Sequence, residues 1–137
     1  MKIFGIGTDI VNIERMDNSL KRYGKKFKKK IFSDKEINYC EKKRNSSAFY
    51  AKRFAAKEAA TKALGTGIRK GISLKNIEIS NNANGKPFIS LKGSVASYLT
   101  KKIKKKKYNI HLSLSDDAPW AQATVIISYN NEKKNSR

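Results

Sequence analysis

Two acidic side chains occupy settings too apolar for an ordinary surface carboxylate. Asp9 stands in the run Ile6-Gly7-Thr8-Asp9-Ile10-Val11 near the start of the chain, and Glu58 in Arg53-Phe54-Ala55-Ala56-Lys57-Glu58-Ala59-Ala60-Thr61-Lys62. On a helix that starts its count at Phe54, Glu58 falls at roughly 40°, Lys62 at roughly 80° and Ala55 at roughly 100°. Glu58 therefore leaves the helix from a face that should be buried. An ionised carboxylate buried without a partner is costly. Glu58 has two remedies: an ion pair with Lys62 at i+4, or a bound cation. Asp9 likewise has two readings, as the cap of the following helix or as a metal ligand at the end of a strand. Hard cations such as Mg²⁺ take one or two protein carboxylates together with substrate phosphate.

Three further features bear on chemistry. His111 is the only histidine, in Asn109-Ile110-His111-Leu112-Ser113-Leu114-Ser115. As a strand this segment puts Ile110, Leu112 and Leu114 on one face and His111, Ser113 and Ser115 on the other. That position suits a half-buried strand histidine as well as a functional one. Gly65-Thr66-Gly67 follows the alanine-rich helix, at the end that repels anions, so Gly65 reads first as a helix cap. Cys40 is the only cysteine; an intrachain disulfide is excluded, and with no His or Asn beside it the thiol reads as structural.

These residues need elements to hold them. Lys2 to Val11 reads as a strand in which Gly5 and Gly7 allow close backbone approach. Asn12 can cap a helix from Ile13 to Tyr23, ended by Gly24. Phe27 and Ile31, four apart, form a candidate buried pair. Ser33 and Glu36 have the spacing of a capping box opening a helix through Lys43. Ala48 to Leu64, without Gly or Pro, is the long helix. Ile77 to Ser80 and Pro87 to Leu91 flank Asn84-Gly85 as a hairpin. Ser94 to Lys105 is a helix with apolar Val95, Tyr98, Leu99 and Ile103. Asn109 to Ser115 and Gln122 to Tyr129 are strands joined by a turn at Pro119. The order β-α-α-α-β-β-α-β-β predicts a single α+β domain, residues 1–129, with a mainly antiparallel sheet and a long central helix. A polar tail, 130–137, follows.

The 137 residues suit one domain, and the formal net charge is +20. Such a charge attracts nucleic acid, phosphorylated small molecules or an acidic protein. Lysine supplies most of the positive charge, so a codon bias toward A and T is an equally serviceable explanation. No zinc spacing, no RNA-recognition motif and little aromatic interleaving of the lysine runs accompany it, which speaks against a dedicated nucleic-acid partner. The apolar start lacks a basic n-region and a cleavage site, and no apolar run approaches the roughly 20 residues of a membrane span. A soluble, cytoplasmic protein with no membrane association is expected.

Four segments decide between the open readings. Gly5-Ile6-Gly7-Thr8-Asp9-Ile10-Val11, the run Arg53 to Gly67, Asn84-Gly85-Lys86-Pro87 and His111-Leu112-Ser113-Leu114-Ser115 resemble, in order, the motifs of the holo-[acyl-carrier-protein] synthases of the 4'-phosphopantetheinyl transferase superfamily. The resemblance implies that fold, and transfer of 4'-phosphopantetheine from coenzyme A to a serine of apo acyl carrier protein in fatty acid biosynthesis. Adenosine 3',5'-bisphosphate would be released. It implies Mg²⁺ held by Asp9 and Glu58, with Glu58 and Lys62 catalytic. Coenzyme A would be bound by Arg53, Lys62, Gly65, Pro87 and His111. Arg15, Met16, Leu20, Lys21, Arg22 and Lys25 would dock the acidic carrier protein, and the assembly would be a homotrimer with sites between subunits. One departure is visible: Asp116-Asp117 stand where these proteins often have a second His.

Overall fold

Gly5 and Gly7 decide how closely the halves of the molecule meet. In the computed structural model, which describes residues 1–66 and 72–133, both lie on strand β1 (Lys2–Asn12) under the long helix α3 (Ser46–Leu64). A Cβ added at Gly5 would stand 1.8 Å from the Ala63 carbonyl oxygen, and one at Gly7 1.9 Å from that of Ala59. Helix and strand thus touch backbone to backbone, which only glycine on one side and alanine on the other permit. Ala55, Ala56, Ala59, Ala60 and Ala63 are all buried along this contact and beside it.

β1 is an edge of a three-stranded antiparallel sheet in the order β1-β5-β4, with β4 spanning Lys106–Asp117 and β5 Trp120–Lys133. α3 covers one face, where Gly7, Ala121, Ala123, Val125 and Ile127 are buried. The other face is uncovered, and Ile6 and Ile10 on it are each 60% exposed. The hairpin β2 (Ile77–Asn81) and β3 (Pro87–Leu91) forms a second, two-stranded antiparallel sheet rather than joining the first. Helix α4 (Gly93–Lys102) packs Val95 and Leu99 into the same core. The α+β architecture read from the sequence is therefore present, with its antiparallel strands divided between two sheets.

Local chemistry accounts for the helix boundaries. The Asn12 side chain accepts the Arg15 N–H at 3.0 Å and opens α1 (Ile13–Ile31). Gly24 does not end that helix; it takes φ 63°, bends the chain, and helix resumes to Ile31. The bend brings Phe27 and Ile31 against Met16, Leu20, Phe32, Cys40 and Tyr50. α2 (Asp34–Glu41) opens with the complete Ser33–Glu36 capping box and stops two residues short of Lys43. Gly65, at φ 81°, closes α3 as a left-handed cap. α4 ends at Lys102 rather than Lys105, because Lys104 and Lys105 turn to φ 55° and 61°. β5 continues to Lys133, four residues past the end read from the sequence, paired there with Lys106. Residues 134–137 of the expected tail lie outside the described residues. Burial pushes the Cys40 thiol up to about 12, which suits an inert core residue. No helix among the described residues is long and apolar enough to cross a membrane.

Behind α3, away from β1, lies a second polar feature. Lys57 is fully buried and donates to Glu36 Oε1 at 2.7 Å, to the Leu74 carbonyl at 2.8 Å and to the Ile77 carbonyl at 2.6 Å. Glu36 in turn accepts the Ile79 N–H at 2.9 Å and the Ser33 N–H at 2.8 Å. Every strong donor and acceptor in this pair is used, so the buried charges are matched in sign and in hydrogen bonds.

Candidate functional site

Asp9 lies two residues beyond Gly7 and therefore on the same face of β1, toward α3. Glu58 adjoins Ala59, whose carbonyl rests on Gly7. The glycine contact thus brings two carboxylates together across the strand–helix junction. Burial is the main cause that raises the Glu58 carboxyl above its ordinary range; the facing Asp9 adds to it and Lys62 opposes it. Lys62 does not form the i+4 pair with Glu58. Its ammonium crosses to β1, 2.8 Å from the Thr8 carbonyl and 3.3 Å from Asp9 Oδ1. The close approach of α3 and β1 puts that strand within reach of a lysine stem.

Both acids line a cavity of about 470 Å³, with Val11, Arg15, Met16, Phe27 and Phe54 among its walls. Two oxygen ligands with no histidine or cysteine beside them suit a hard cation that keeps waters or substrate oxygens for its other positions. Among the described residues no group of three or more His, Cys, Asp or Glu is placed to hold a metal. The fit to Mg²⁺ therefore rests on the Asp9–Glu58 pair alone. Two half-buried acids, one of which raises the pKa of the other, are a site that gains from added positive charge.

The residues expected to meet a carrier protein divide into two groups. Arg15, Lys21, Arg22 and Lys25 are exposed on α1, and Lys21 is ion-paired with Asp17 at 2.8 Å. Met16 and Leu20 are core residues, 5% and 8% exposed, not a free apolar patch. Met16 keeps an edge on the cavity, whereas Leu20 does not line it. The sequence reading missed Phe27 and Phe54 as the apolar wall beside Asp9 and Glu58. Spacing marked Phe27 as half of a buried pair with Ile31 and put Phe54 on a face that should be buried, but only the bend at Gly24 brings Phe27 to the cavity.

His111 lies elsewhere. The register sets His111 opposite Ile126, and Ile126 opposite Ile6, in one row across the sheet. Asp9, Ala123 and Leu114 form another row. The first row belongs to the uncovered face and the second to the face under α3, so in one chain His111 and Asp9 point to opposite sides of the sheet. His111 Nε2 lies 3.0 Å from Ser128 Oγ. With Pro87, Lys86, Asn82 and Phe88 it lines a separate cavity of about 310 Å³. Arg53 is 2% exposed on the β2 side of α3, donates to Asn81 Oδ1 at 2.7 Å and stacks 4.0 Å from the centre of the Tyr39 ring. Gly65 is the exposed cap of α3, and Gly67 lies outside the described residues. Asp116, at the position of the absent second His, is paired with Lys52 at 3.2 Å.

Known proteins resemble this chain in sequence and in fold. The family model described as "4'-phosphopantetheinyl transferase superfamily" matches residues 5–124. A holo-[acyl-carrier-protein] synthase of Dinoroseobacter shibae is 44% identical over 128 residues, covering 92% of this chain and 91% of the relative. The crystal structure of the Neisseria meningitidis holo-[acyl-carrier-protein] synthase superposes with a TM-score of 0.80 at 36% identity, covering 92% of this chain and 98% of that one. The Helicobacter pylori synthase, solved in complex with coenzyme A, superposes with a TM-score of 0.77 at 36% identity over 90% and 99% of the two chains.

Proposed function

The chain belongs to the 4'-phosphopantetheinyl transferase superfamily as a holo-[acyl-carrier-protein] synthase, and we propose that its reaction depends on Mg²⁺ and that Asp9 and Glu58 hold the ion. The enzyme transfers 4'-phosphopantetheine from coenzyme A to apo acyl carrier protein, a step of fatty acid biosynthesis. In the reaction a serine hydroxyl of the carrier attacks the β-phosphorus, and adenosine 3',5'-bisphosphate leaves. Phosphoryl transfer asks a protein for alignment and charge neutralisation more than for covalent chemistry. When bound, the metal neutralises the pyrophosphate and polarises the phosphorus.

The chain's own residues supply the rest. Glu58 lines the cavity beside Asp9, where its carboxylate is placed to accept a proton. It is the candidate base for the serine hydroxyl. Lys62 stands one turn further along α3 with its side chain 56% exposed, able to reach a phosphate as a point charge. Arg15 at the cavity rim, with Arg22 and Lys25 on α1, presents positive charge to an acidic carrier and speeds the encounter. Phe27, Phe54 and Met16 give the cavity the apolar wall that docking requires.

The coenzyme A residues support an assembly of subunits, a homotrimer. His111 and Pro87 share one cavity, and Arg53 is held by Asn81 next to its Asn82 wall. Because His111 and Asp9 face opposite sides of the sheet, a ligand touching both must lie between two chains. The uncovered sheet face, with Ile6 and Ile10, is apolar enough to be such a contact. The unpaired Cys40 suits a reducing compartment, the cytoplasm.

The observation that carries the metal reading is the meeting of Asp9 and Glu58 at one cavity. Its test is the mass gain of one phosphopantetheine on apo acyl carrier protein with coenzyme A and Mg²⁺. Asp9→Ala and Glu58→Ala should each lower that turnover by more than about 100-fold with the fold intact by circular dichroism. Near-native rates for both variants at limiting Mg²⁺ would remove the assignment.

A further inference from the structure

Lys62 makes two contacts that its role toward a phosphate does not explain. Its ammonium lies 2.8 Å from the Thr8 carbonyl and 3.3 Å from Asp9 Oδ1. Both acceptors are on β1, and one of them belongs to the carboxylate assigned to the metal. Asp9 is the more enclosed partner, with its side chain 20% exposed against 56% for Lys62. Glu58 sits close enough to Asp9 for the two charges to repel, and Lys62 offsets that repulsion. A divalent cation on Asp9 would bring a second centre of positive charge to the oxygen the ammonium already serves. Like charges that close repel strongly at a half-buried site. The two cannot share Asp9 at full strength.

We propose that Lys62 is the resident counter-ion of Asp9, which a divalent cation must displace, and that a phosphate of the substrate receives the ammonium when it leaves. The inference rests on the reading of Asp9 and Glu58 as the metal pair. It adds a function that the pair alone lacks. Without substrate, Lys62 keeps the two acids from repelling and holds metal affinity down. With a phosphorylated ligand bound, the lysine has a better partner and Asp9 is released to the metal. Ligand and metal then favour each other, and by linkage the coupling is the same in either order. The exposed stem of Lys62 makes the exchange a side-chain rotation and requires no movement of α3.

Mn²⁺ binding to the full-length protein, followed by electron paramagnetic resonance without coenzyme A, tests the exchange. Lys62→Gln should bind Mn²⁺ roughly five- to tenfold more tightly than the parent, since it removes the competing charge and keeps a polar side chain only one atom shorter. Lys62→Arg should stay near the parent. Turnover of Lys62→Gln should fall while its metal affinity rises, a split that general damage to the site does not produce. Arg15→Gln removes a positive charge from the cavity that Asp9 lines, whereas the ion pair of Asp9 is with Lys62, and it should tighten Mn²⁺ less than twofold. Equal effects of Lys62→Gln and Arg15→Gln would reduce the result to general electrostatics and overturn the proposal, as would unchanged or weaker binding by Lys62→Gln. Asp9→Asn separates the two readings. If it leaves Mn²⁺ binding intact, the metal pair itself is wrong; if it abolishes binding while Lys62→Gln fails to tighten it, only the displacement is wrong.

Discussion

Helix α3 carries two lysine–carboxylate arrangements, one on each side, and they are built to opposite ends. On the β2 side Lys57 and Glu36 are both sealed from solvent, matched in charge and supplied with backbone partners. On the β1 side Asp9 and Glu58 repel, and a half-exposed lysine offsets that repulsion only in part. The residue types are alike, and Lys57 and Glu58 are neighbours in the helix. What differs is whether the charges cancel within the protein. A pair that cancels fixes the fold; a set left net negative at a cavity is completed by something from outside.

Four substitutions press on that contrast. The largest effect belongs to Lys57→Met, which leaves Glu36 buried and unpaired and should cost about 3–5 kcal/mol in urea unfolding. The same change at Lys62 should shift stability by less than about 1 kcal/mol, as exposed pairs do. Comparable losses at the two positions would erase the distinction. Gly7→Ala comes next. Its methyl would meet the Ala59 carbonyl at 1.9 Å, so α3 must lift from β1 at a cost of about 1–3 kcal/mol. Because that contact spaces Asp9 and Glu58, transfer activity should fall further than stability does. The smallest effect is the pH dependence of Glu58→Gln. Glu58 has a folded pKa above its ordinary value of 4.5, so its ionisation opposes folding as pH rises from there through the folded pKa. Glu58→Gln should therefore be more stable than the parent at neutral pH, and the difference should shrink as pH falls toward 4.5 in paired urea titrations. A difference independent of pH would show that Glu58 is not strained.

The two sides of α3 were unequally legible in the sequence. Glu36 announced its capping box, because Ser33 lies three residues away and the motif is local. Its larger role, as partner of Lys57 and of the Ile79 N–H, joins residues far apart in the chain and left no periodic trace. Helical spacing put Glu58 on the correct face yet offered Lys62 as its neighbour. The actual partner, Asp9, depends on how near a strand can come, which Gly5 and Gly7 permit but do not announce. Gly24 shows the same limit. A glycine ends most helices, but here apolar Phe27 and Ile31 gained enough burial beyond it for helix to resume. The division of the strands into two sheets was likewise invisible, since alternation within a strand says nothing about its neighbours.

The register rows have a consequence for mixtures of chains. If each chain carried its whole site, the working fraction of a mixed assembly would equal the fraction of intact chains. If the coenzyme A site is bounded by both His111 and Asp9, which lie on opposite faces of one sheet, it is owned by an interface between chains. On that proposal, a chain altered at Asp9 and a chain altered at His111 would each spoil every site when alone. Brought together, they would form some interfaces at which an intact Asp9 meets an intact His111. Function would then follow the arithmetic of pairings, and two silent variants would complement one another.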